Sequence, residues 1–68
     1  MSDQLLTLTE VSKLTGLARS TLFQMRVQGR GPASFRIGNR VRIRESALNE
    51  WLAECEAEEQ VRLARIAG

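Results

Sequence analysis

Residues 7–28, TLTEVSKLTGLARSTLFQMRVQ, contain the signals of two short helices joined by a glycine turn. Thr7 and Glu10 have the spacing of a capping box, in which each side chain bonds the backbone N–H of the other residue. Gly16 is suited to the left-handed conformation that commonly ends a helix. We therefore predict a first helix from about Leu8 to Thr15. Its expected apolar face consists of Leu8, Val11 and Leu14.

A second helix is expected from about Arg19 to Gln28, because Gly29 and the pair Gly31-Pro32 stop it. At 100° per residue, Leu22 and Met25 fall on one stripe and should face the core. The outward side chains are Ser20, Phe23, Gln24 and Val27, with Arg19 and Arg26 on one flank. Two short helices joined by a glycine-containing turn, here at Gly16, are the pattern of a helix-turn-helix.

Residues 35–43, FRIGNRVRI, change to the two-residue period of β-strands. Gly38-Asn39 is a hairpin turn signal between the two alternating segments. A two-residue loop would pair Ile37 with Arg40 and would mix apolar and basic side chains on each face. A three-residue loop pairs Ile37 with Val41 and keeps the apolar side together, so we predict this register.

In that register, Arg40 lies at the tip of the hairpin and Arg36 lies opposite Arg42 on the outer face. Two like charges directly opposite each other are destabilising. A phosphate group lying between the two guanidinium groups would offset that repulsion. The alternative is an ordinary edge hairpin whose charges prevent edge-to-edge aggregation.

A long helix is predicted from about Glu45 to Ala67, and its first turns should close the core. The stripe that faces the core consists of Leu48, Trp51, Leu52 and Cys55. On this stripe Cys55 is expected to be a buried, unreactive thiol. Glu58 and Arg62 are expected to form an i, i+4 ion pair.

The distal turns of this helix are too far from a small core to be covered by it. They form either a frayed, solvated end or an arm for self-association. The candidate residues for self-association are Val61, Leu63, Ala64 and Ile66. Residues 1–68 are thus expected to form one domain, with a globular part at about 5–55 and a helical extension at 56–68.

The chain has 68 residues, no histidine and one cysteine. A chain of this length is too small for an enzyme-sized buried cavity, so we expect neither catalytic activity nor a small-molecule substrate. A single cysteine builds neither a disulfide nor a Cys/His zinc site, and no cofactor is expected. A lone thiol suits a reducing cytoplasm. Residues 1–10 contain no basic segment or long apolar run, so we expect no signal peptide and no membrane span.

The charges are segregated along the chain, although the net charge is only +2. Residues 13–44 contain eight basic residues and no Asp or Glu, whereas residues 45–68 contain six Glu and two Arg. An uninterrupted basic segment repels itself unless a polyanion binds it. A solvated basic surface would explain a smaller cluster. For this segment we favour binding to nucleic acid.

Residues 5–52 resemble the small excisionase and AlpA-type winged helix-turn-helix proteins, which are relatives of the MerR-type DNA-binding domain. The motifs that carry the resemblance are LLTLTEVSKLTG (5–16), GLARSTLF (16–23), QGRGP (28–32), RIGNRVRI (36–43) and ESALNEWL (45–52). The resemblance implies a mainly α fold with a β-hairpin wing, in which two short helices, the hairpin and a long C-terminal helix follow in order. Ala18 and Met25 depart from the family pattern, which usually has a capping Ser and often an aromatic residue at these positions.

In such proteins the second helix enters the major groove of double-stranded DNA and the wing reaches the adjacent minor groove. The resemblance therefore implies that Ser20 and Gln24 face base edges and that Val27 contacts a thymine methyl group. Arg19 and Arg26 would bind flanking phosphates or guanine, and Arg36 and Arg42 would contact the DNA backbone. Arg40, at the tip of the wing, would enter the minor groove. The predicted DNA-binding residues are Arg19, Ser20, Thr21, Gln24, Arg26, Val27, Arg36, Arg40 and Arg42.

The first functional hypothesis is an excisionase, or recombination directionality factor, that binds repeated DNA sites and bends them. It would assist an integrase in excising a prophage or another element, in association with the nucleoid of a bacterial or phage-infected cell. A small AlpA-type transcriptional regulator is the alternative within DNA binding. A module of another class would use the C-terminal helix to bind a partner protein.

Overall fold

The computed structural model describes residues 3–67 and has the predicted architecture of two short helices, a hairpin and a long C-terminal helix. The elements in chain order are β1 (Leu5–Leu6), α1 (Leu8–Thr15), α2 (Arg19–Val27), β2 (Phe35–Ile37), β3 (Arg40–Arg44) and α3 (Glu45–Ala67). The strands form one antiparallel sheet in the order β1-β3-β2. The fold is a winged helix-turn-helix, in which the β2–β3 hairpin is the wing.

Helix α1 begins and ends where its capping residues predict. The Thr7 hydroxyl accepts a hydrogen bond from the Glu10 N–H at 3.1 Å, and the Glu10 carboxylate accepts one from the Thr7 N–H at 3.2 Å. Gly16 then adopts φ +78°, and its N–H donates to the Ser12 carbonyl. Both ends of α1 therefore have their free backbone groups partly satisfied.

The core is small and takes one fully buried side chain from each element except β2. These side chains are Leu6, Val11, Leu22, Ile43 and Leu48. Leu8, Leu17, Trp51 and Leu52 pack around them and are partly buried. Because β2 contributes no buried side chain, the hairpin projects from the body of the domain.

The structure shows that the predicted position of Leu14 on the core face of α1 is wrong, because this side chain is 67% exposed. The side of α1 that approaches α2 instead carries Ser12 and Thr15, which are half-buried. The Ser12 hydroxyl donates to the Leu17 carbonyl and the Thr15 hydroxyl donates to the Val11 carbonyl. These polar contacts hold the turn and leave Leu14 on the solvent side.

The predicted register of the hairpin is also wrong. The loop has two residues, Gly38 and Asn39, and Ile37 pairs with Arg40. Gly38 has φ +62°, while Asn39 does not have a positive φ. A positive φ at the first central residue alone is the pattern of a type II′ turn, which suits the twist of a two-residue hairpin. The local geometry of the turn therefore prevails over the separation of apolar and basic faces.

The corrected register changes the positions of three arginines. Arg36 pairs with Val41 and Arg42 pairs with Phe35, so Arg36 and Arg42 are not opposite each other. Arg40 is the first residue of β3 and flanks the turn, whereas Gly38 and Asn39 form the tip. The predicted repulsion between Arg36 and Arg42 as direct partners is therefore absent.

Only the first turns of α3 contact the core, so the predicted burial of Cys55 is wrong and its thiol is exposed. Trp51 packs at the edge of the core, and its indole N–H donates to the Arg30 carbonyl at 2.9 Å. The predicted pairing of Arg62 is also wrong, because its guanidinium group lies 2.7 Å from Glu59 rather than pairing with Glu58.

The N-terminus of α3 is capped by a residue that is distant in the sequence. The Asp3 carboxylate accepts hydrogen bonds from the N–H and the hydroxyl of Ser46 at 2.9 and 2.8 Å. These hydrogen bonds lower the pKa of Asp3, and the charge of Arg44 acts in the same direction. A negative side chain at this position also favours the helix dipole.

Candidate nucleic-acid interface

Helix α2 presents a continuous outward face because Leu22 on its opposite side is fixed in the core. Val27 and Phe23 on the outward face are 69% and 45% exposed. Ser20 and Gln24 are polar residues on the same face, and both are exposed. An open groove on this side is lined by Leu8, Arg19, Ser20, Phe23 and Gln24. The face thus combines hydrogen-bonding and apolar groups without any acidic side chain.

The turn between α1 and α2 contains Gly16, Leu17 and Ala18 and fixes the direction of α2. The Thr15 hydroxyl accepts a hydrogen bond from the Leu17 N–H at 3.3 Å, in addition to its own bond to α1. Ala18 makes no side-chain hydrogen bond to the first turn of α2, as its apolar side chain predicts. The first turn of α2 therefore lacks a side-chain cap from this position.

Arg26 lies on the flank of α2 beside the loop that leads to the wing. Its Nε–H donates to the Ser34 hydroxyl at 2.8 Å, and the Arg26 side chain is partly buried. This contact joins α2 to the residue immediately before β2. The wing is therefore attached to the outward helix by a side chain as well as by the backbone.

The wing divides its arginines between its two faces. Arg36 lies on the same face of the hairpin as Val41 and Ile43. Unlike Ile43, Arg36 is exposed. Arg40 and Arg42 lie on the other face, because residues two apart on a strand point the same way. Arg40 is exposed, whereas Arg42 is partly buried and its Nη1 donates to the Val41 carbonyl at 2.7 Å.

Arg44 continues the row of Arg40 and Arg42 but is engaged within the domain. Its guanidinium carbon lies 5.7 Å from the centre of the Phe35 ring, within the range of a cation–π contact. Its Nη1 is also 3.7 Å from a carboxylate oxygen of Asp3. Arg44 therefore differs from the other arginines of the wing, which have no carboxylate partner within residues 3–67.

The arginines that the sequence predicts for DNA binding carry unneutralised charge. Over the described part of the chain, the ion pairs are Asp3 with Arg44 and Glu59 with Arg62. Neither pair includes a predicted DNA-binding arginine. The positive potential of α2 and the wing is thus available to an anionic partner.

The structure gives the following placement of the predicted site residues. The exposed ones are Arg19, Ser20, Thr21, Gln24, Val27, Arg36 and Arg40, and the partly buried ones are Arg26 and Arg42. Seven of the nine therefore lie on the surface as the prediction requires. Their contacts with DNA remain a prediction.

Two residues with a role in the geometry of this surface are absent from the prediction. Ser34 gives no signal in the sequence, because its contact with Arg26 spans eight residues and a loop. For Asp3 the sequence gives an indirect signal. Arg44, which cannot act as an N-cap, occupies the position before α3 where a capping residue is usual, so the cap of α3 must come from a distant residue.

The distal part of α3 leaves the candidate self-association residues exposed. Val61, Leu63 and Ile66 are 53%, 48% and 75% exposed, and Ala64 is exposed as well. Within residues 3–67, every helix is too short or too polar to span a membrane. The same residues contain no group of three or more side chains suited to hold a metal ion.

Comparison with known proteins identifies the family of the chain. A family described as "Helix-turn-helix domain" matches residues 5–56, which include every element from β1 to the proximal half of α3. No curated protein and no solved structure matches the chain. The matched range includes α2 and the wing, and it ends near the point where α3 leaves the core.

Proposed function

The chain belongs to the helix-turn-helix domain family and is a small sequence-specific DNA-binding protein, and we propose that it acts as an excisionase. In this role it binds repeated sites, bends the duplex and assists an integrase in excising a prophage or another element. The helix-turn-helix domain is a DNA-binding family rather than an enzymatic one. The contribution to excision is therefore architectural, and strand exchange belongs to the integrase.

One observation carries the proposal for the binding mode. The outward face of α2 and the wing hold exposed arginines that have no carboxylate partner among residues 3–67. Residues 13–44, which contain both elements, also have no acidic residue. A surface of this kind suits a phosphate backbone on either side of a groove.

In the proposed complex, α2 lies in the major groove and reads base edges with few side chains. Gln24 has the amide that pairs with adenine in two hydrogen bonds, and Ser20 bonds any base with a suitable edge. Val27 provides an apolar contact for a thymine methyl group. Thr21 and Arg19 flank these readers and bind the backbone. With so few base contacts, one copy discriminates only modestly between sequences.

The wing lies in the adjacent minor groove in this proposal. Because Arg36 and Arg40 are on opposite faces of the hairpin, each faces a different wall of the groove. A narrow minor groove has an enhanced negative potential that favours such insertion. Arg42 is held closer to the hairpin by its bond to the Val41 carbonyl and contacts the backbone at the edge of the groove.

Several copies on adjacent sites would supply the affinity and the bending that one copy lacks. The exposed distal side chains of α3 are the proposed contacts between copies, namely Val61, Leu63, Ala64 and Ile66. Such a complex forms on the nucleoid, in the cytoplasm of a bacterial or phage-infected cell.

A small AlpA-type transcriptional regulator is the second candidate, since it uses the same DNA interface. A neighbouring integrase gene and attachment site would favour the excisionase, and a regulated promoter beside the gene would favour the regulator. The third candidate, a protein-interaction module, is favoured by the exposed apolar side chains on distal α3. It requires no duplex binding.

The test is a gel-shift titration of attachment-site DNA, combined with circular-permutation analysis of bending. If about five arginines contact phosphates, the logarithm of the affinity should fall with the logarithm of salt at a slope of roughly −4 to −5. Absence of duplex binding at low salt would contradict both DNA-binding roles. Binding without bending would favour the regulator.

Arg40 provides the corresponding test of the wing. Arg40→Ala should weaken binding to every duplex and reduce the salt slope by about one, because one phosphate contact is lost. Arg65→Ala, which removes the same charge from distal α3, is the matched control and should leave the affinity for a single site unchanged. Equal affinities of the Arg40→Ala variant and the unchanged chain would refute the role of the wing.

A further inference from the structure

The guanidinium group of Arg26 is held in one orientation by Ser34. The Arg26 Nε–H donates to the Ser34 hydroxyl at 2.8 Å. Within residues 3–67, the Nη1 and Nη2 groups of Arg26 donate to no acceptor. The Ser34 O–H donates to no acceptor among residues 3–67, so this hydroxyl can donate to a ligand while it accepts from Arg26. Arg26 and Ser34 thus offer several donors and no negative charge.

The loop beside this pair forms an open depression of about 360 Å³. Its lining residues are Arg26, Gly29, Gly31, Pro32, Ala33 and Ser34. The backbone N–H groups of Gly31 and Ala33 donate to no acceptor in the described part of the chain. Glycine residues at such a position allow a ligand to approach the backbone closely.

The loop is held against the domain on both sides, so the depression has a defined shape. The Arg30 N–H donates to the Met25 carbonyl at 2.8 Å, and the Trp51 indole donates to the Arg30 carbonyl. Pro32 is buried. A Cβ atom on Gly31 would meet the Met25 Cβ at 3.4 Å, which shows how closely the loop passes α2.

We infer that Arg26, Ser34 and the loop 29–34 form a seat for one phosphate group of the DNA backbone. Arg26 provides the charge, and Ser34 is a positioning residue that directs the guanidinium group and adds its own O–H. This inference rests on the proposed DNA binding and assigns Arg26 to a phosphate rather than to guanine. A phosphate suits the site because charge-assisted hydrogen bonds from a fixed guanidinium group are strong and bidentate.

The test is a double-mutant cycle on duplex binding, with the full chain and two duplexes of unrelated sequence. Arg26→Ala should weaken binding to both duplexes by about tenfold, since one charge-assisted contact is lost. Its salt slope should fall by about 0.9. Ser34→Ala should weaken binding more in the unchanged chain than in the Arg26→Ala variant, in which only the contact of the Ser34 hydroxyl is left to lose. Ser34→Thr, which keeps the hydroxyl, should retain the affinity.

Arg30→Ala is the matched control, because Arg30 is an exposed arginine of the same loop that does not line the depression. Its effect should add to that of Ser34→Ala without coupling. Thermal unfolding of each variant checks that the fold is intact.

Additive effects of Arg26→Ala and Ser34→Ala would overturn the seat, and so would an effect of Arg26→Ala on one duplex sequence only. An unaltered affinity of the Ser34→Ala variant would overturn it as well. In each of these cases the unchanged chain still binds duplex DNA, so the proposed function stands. Absence of duplex binding by the unchanged chain would overturn both proposals.

Discussion

Asp3 connects the N-terminal segment of the domain to the start of α3 through its carboxylate. Its carboxylate caps α3 by accepting two hydrogen bonds from Ser46, and Arg44 lies 3.7 Å away. Ser46 is 43 residues distant in the sequence, so the contact exists only in the folded chain. The ionised form of Asp3 is consequently favoured by folding.

The pH dependence of stability should report this contact. Because the pKa of folded Asp3 lies below its ordinary value of 3.8, the contribution of Asp3 is complete above that value. It should be lost as the pH falls through 3.8 and then through the folded pKa. Urea unfolding of the unchanged chain and of Asp3→Ala should therefore differ at neutral pH, and the difference should shrink in acid. A difference that is independent of pH would contradict this role.

Gln24 is the residue whose substitution most directly tests base recognition. Gln24→Ala should lower the preference for the selected site by about 1–3 kcal/mol, because the bidentate contact with a base is lost. Binding to unrelated duplexes should change little. Competition between selected and random duplexes measures the ratio of the two affinities. An equal loss on all sequences would reassign Gln24 to the DNA backbone.

At the scale of elements, the helices could be predicted because their signals are local. Thr7, Glu10 and Gly16 determine the ends of α1, and Gly29 ends α2 one residue beyond its C-cap. The hairpin register could not be predicted from face separation, because β2 has no buried side chain to enforce it. The conformation of Gly38 determines the register instead.

Gly38→Ala should therefore loosen the wing selectively. An alanine at φ +62° costs about 1–2 kcal/mol, which corresponds to a roughly fivefold to thirtyfold larger equilibrium constant for opening of the hairpin. Hydrogen exchange of the β2 and β3 amides measures this opening. Asn39→Ala is the matched control and should have little effect, since Asn39 does not have a positive φ. Equal exchange in both variants would contradict the assigned turn.

At the scale of the whole molecule, a core of five buried side chains within residues 3–67 supports a fold with a 23-residue helix. A core of this size ends at about Leu52, which is why Cys55 is exposed although it continues the apolar stripe. The sequence reveals the stripe but not how far the rest of the domain extends along it. The exposure of the α2 residues of the candidate interface was predicted more completely, because these residues lie on the side of the helix opposite Leu22.

Truncation after Ala53 tests the separation between the folded domain and the distal part of α3. The truncated chain keeps the side chains of α3 that contact the core, so it should unfold cooperatively and bind a single site normally. Its cooperativity on DNA with adjacent sites should fall. The full-length variant Val61→Gln with Ile66→Gln should lose cooperativity in the same way. Unchanged cooperativity in both would exclude self-association through this segment.

In the proposed complex, α2 and the wing form a single surface for duplex DNA. Titration of duplex DNA into the ¹⁵N-labelled chain, followed by NMR, maps that surface in one measurement. We predict that the largest shifts occur at residues 19–27 and 36–42, with small changes at residues 53–67 at a single site. Shifts confined to distal α3, or shifts in α2 without any in the wing, would contradict a single DNA-binding surface.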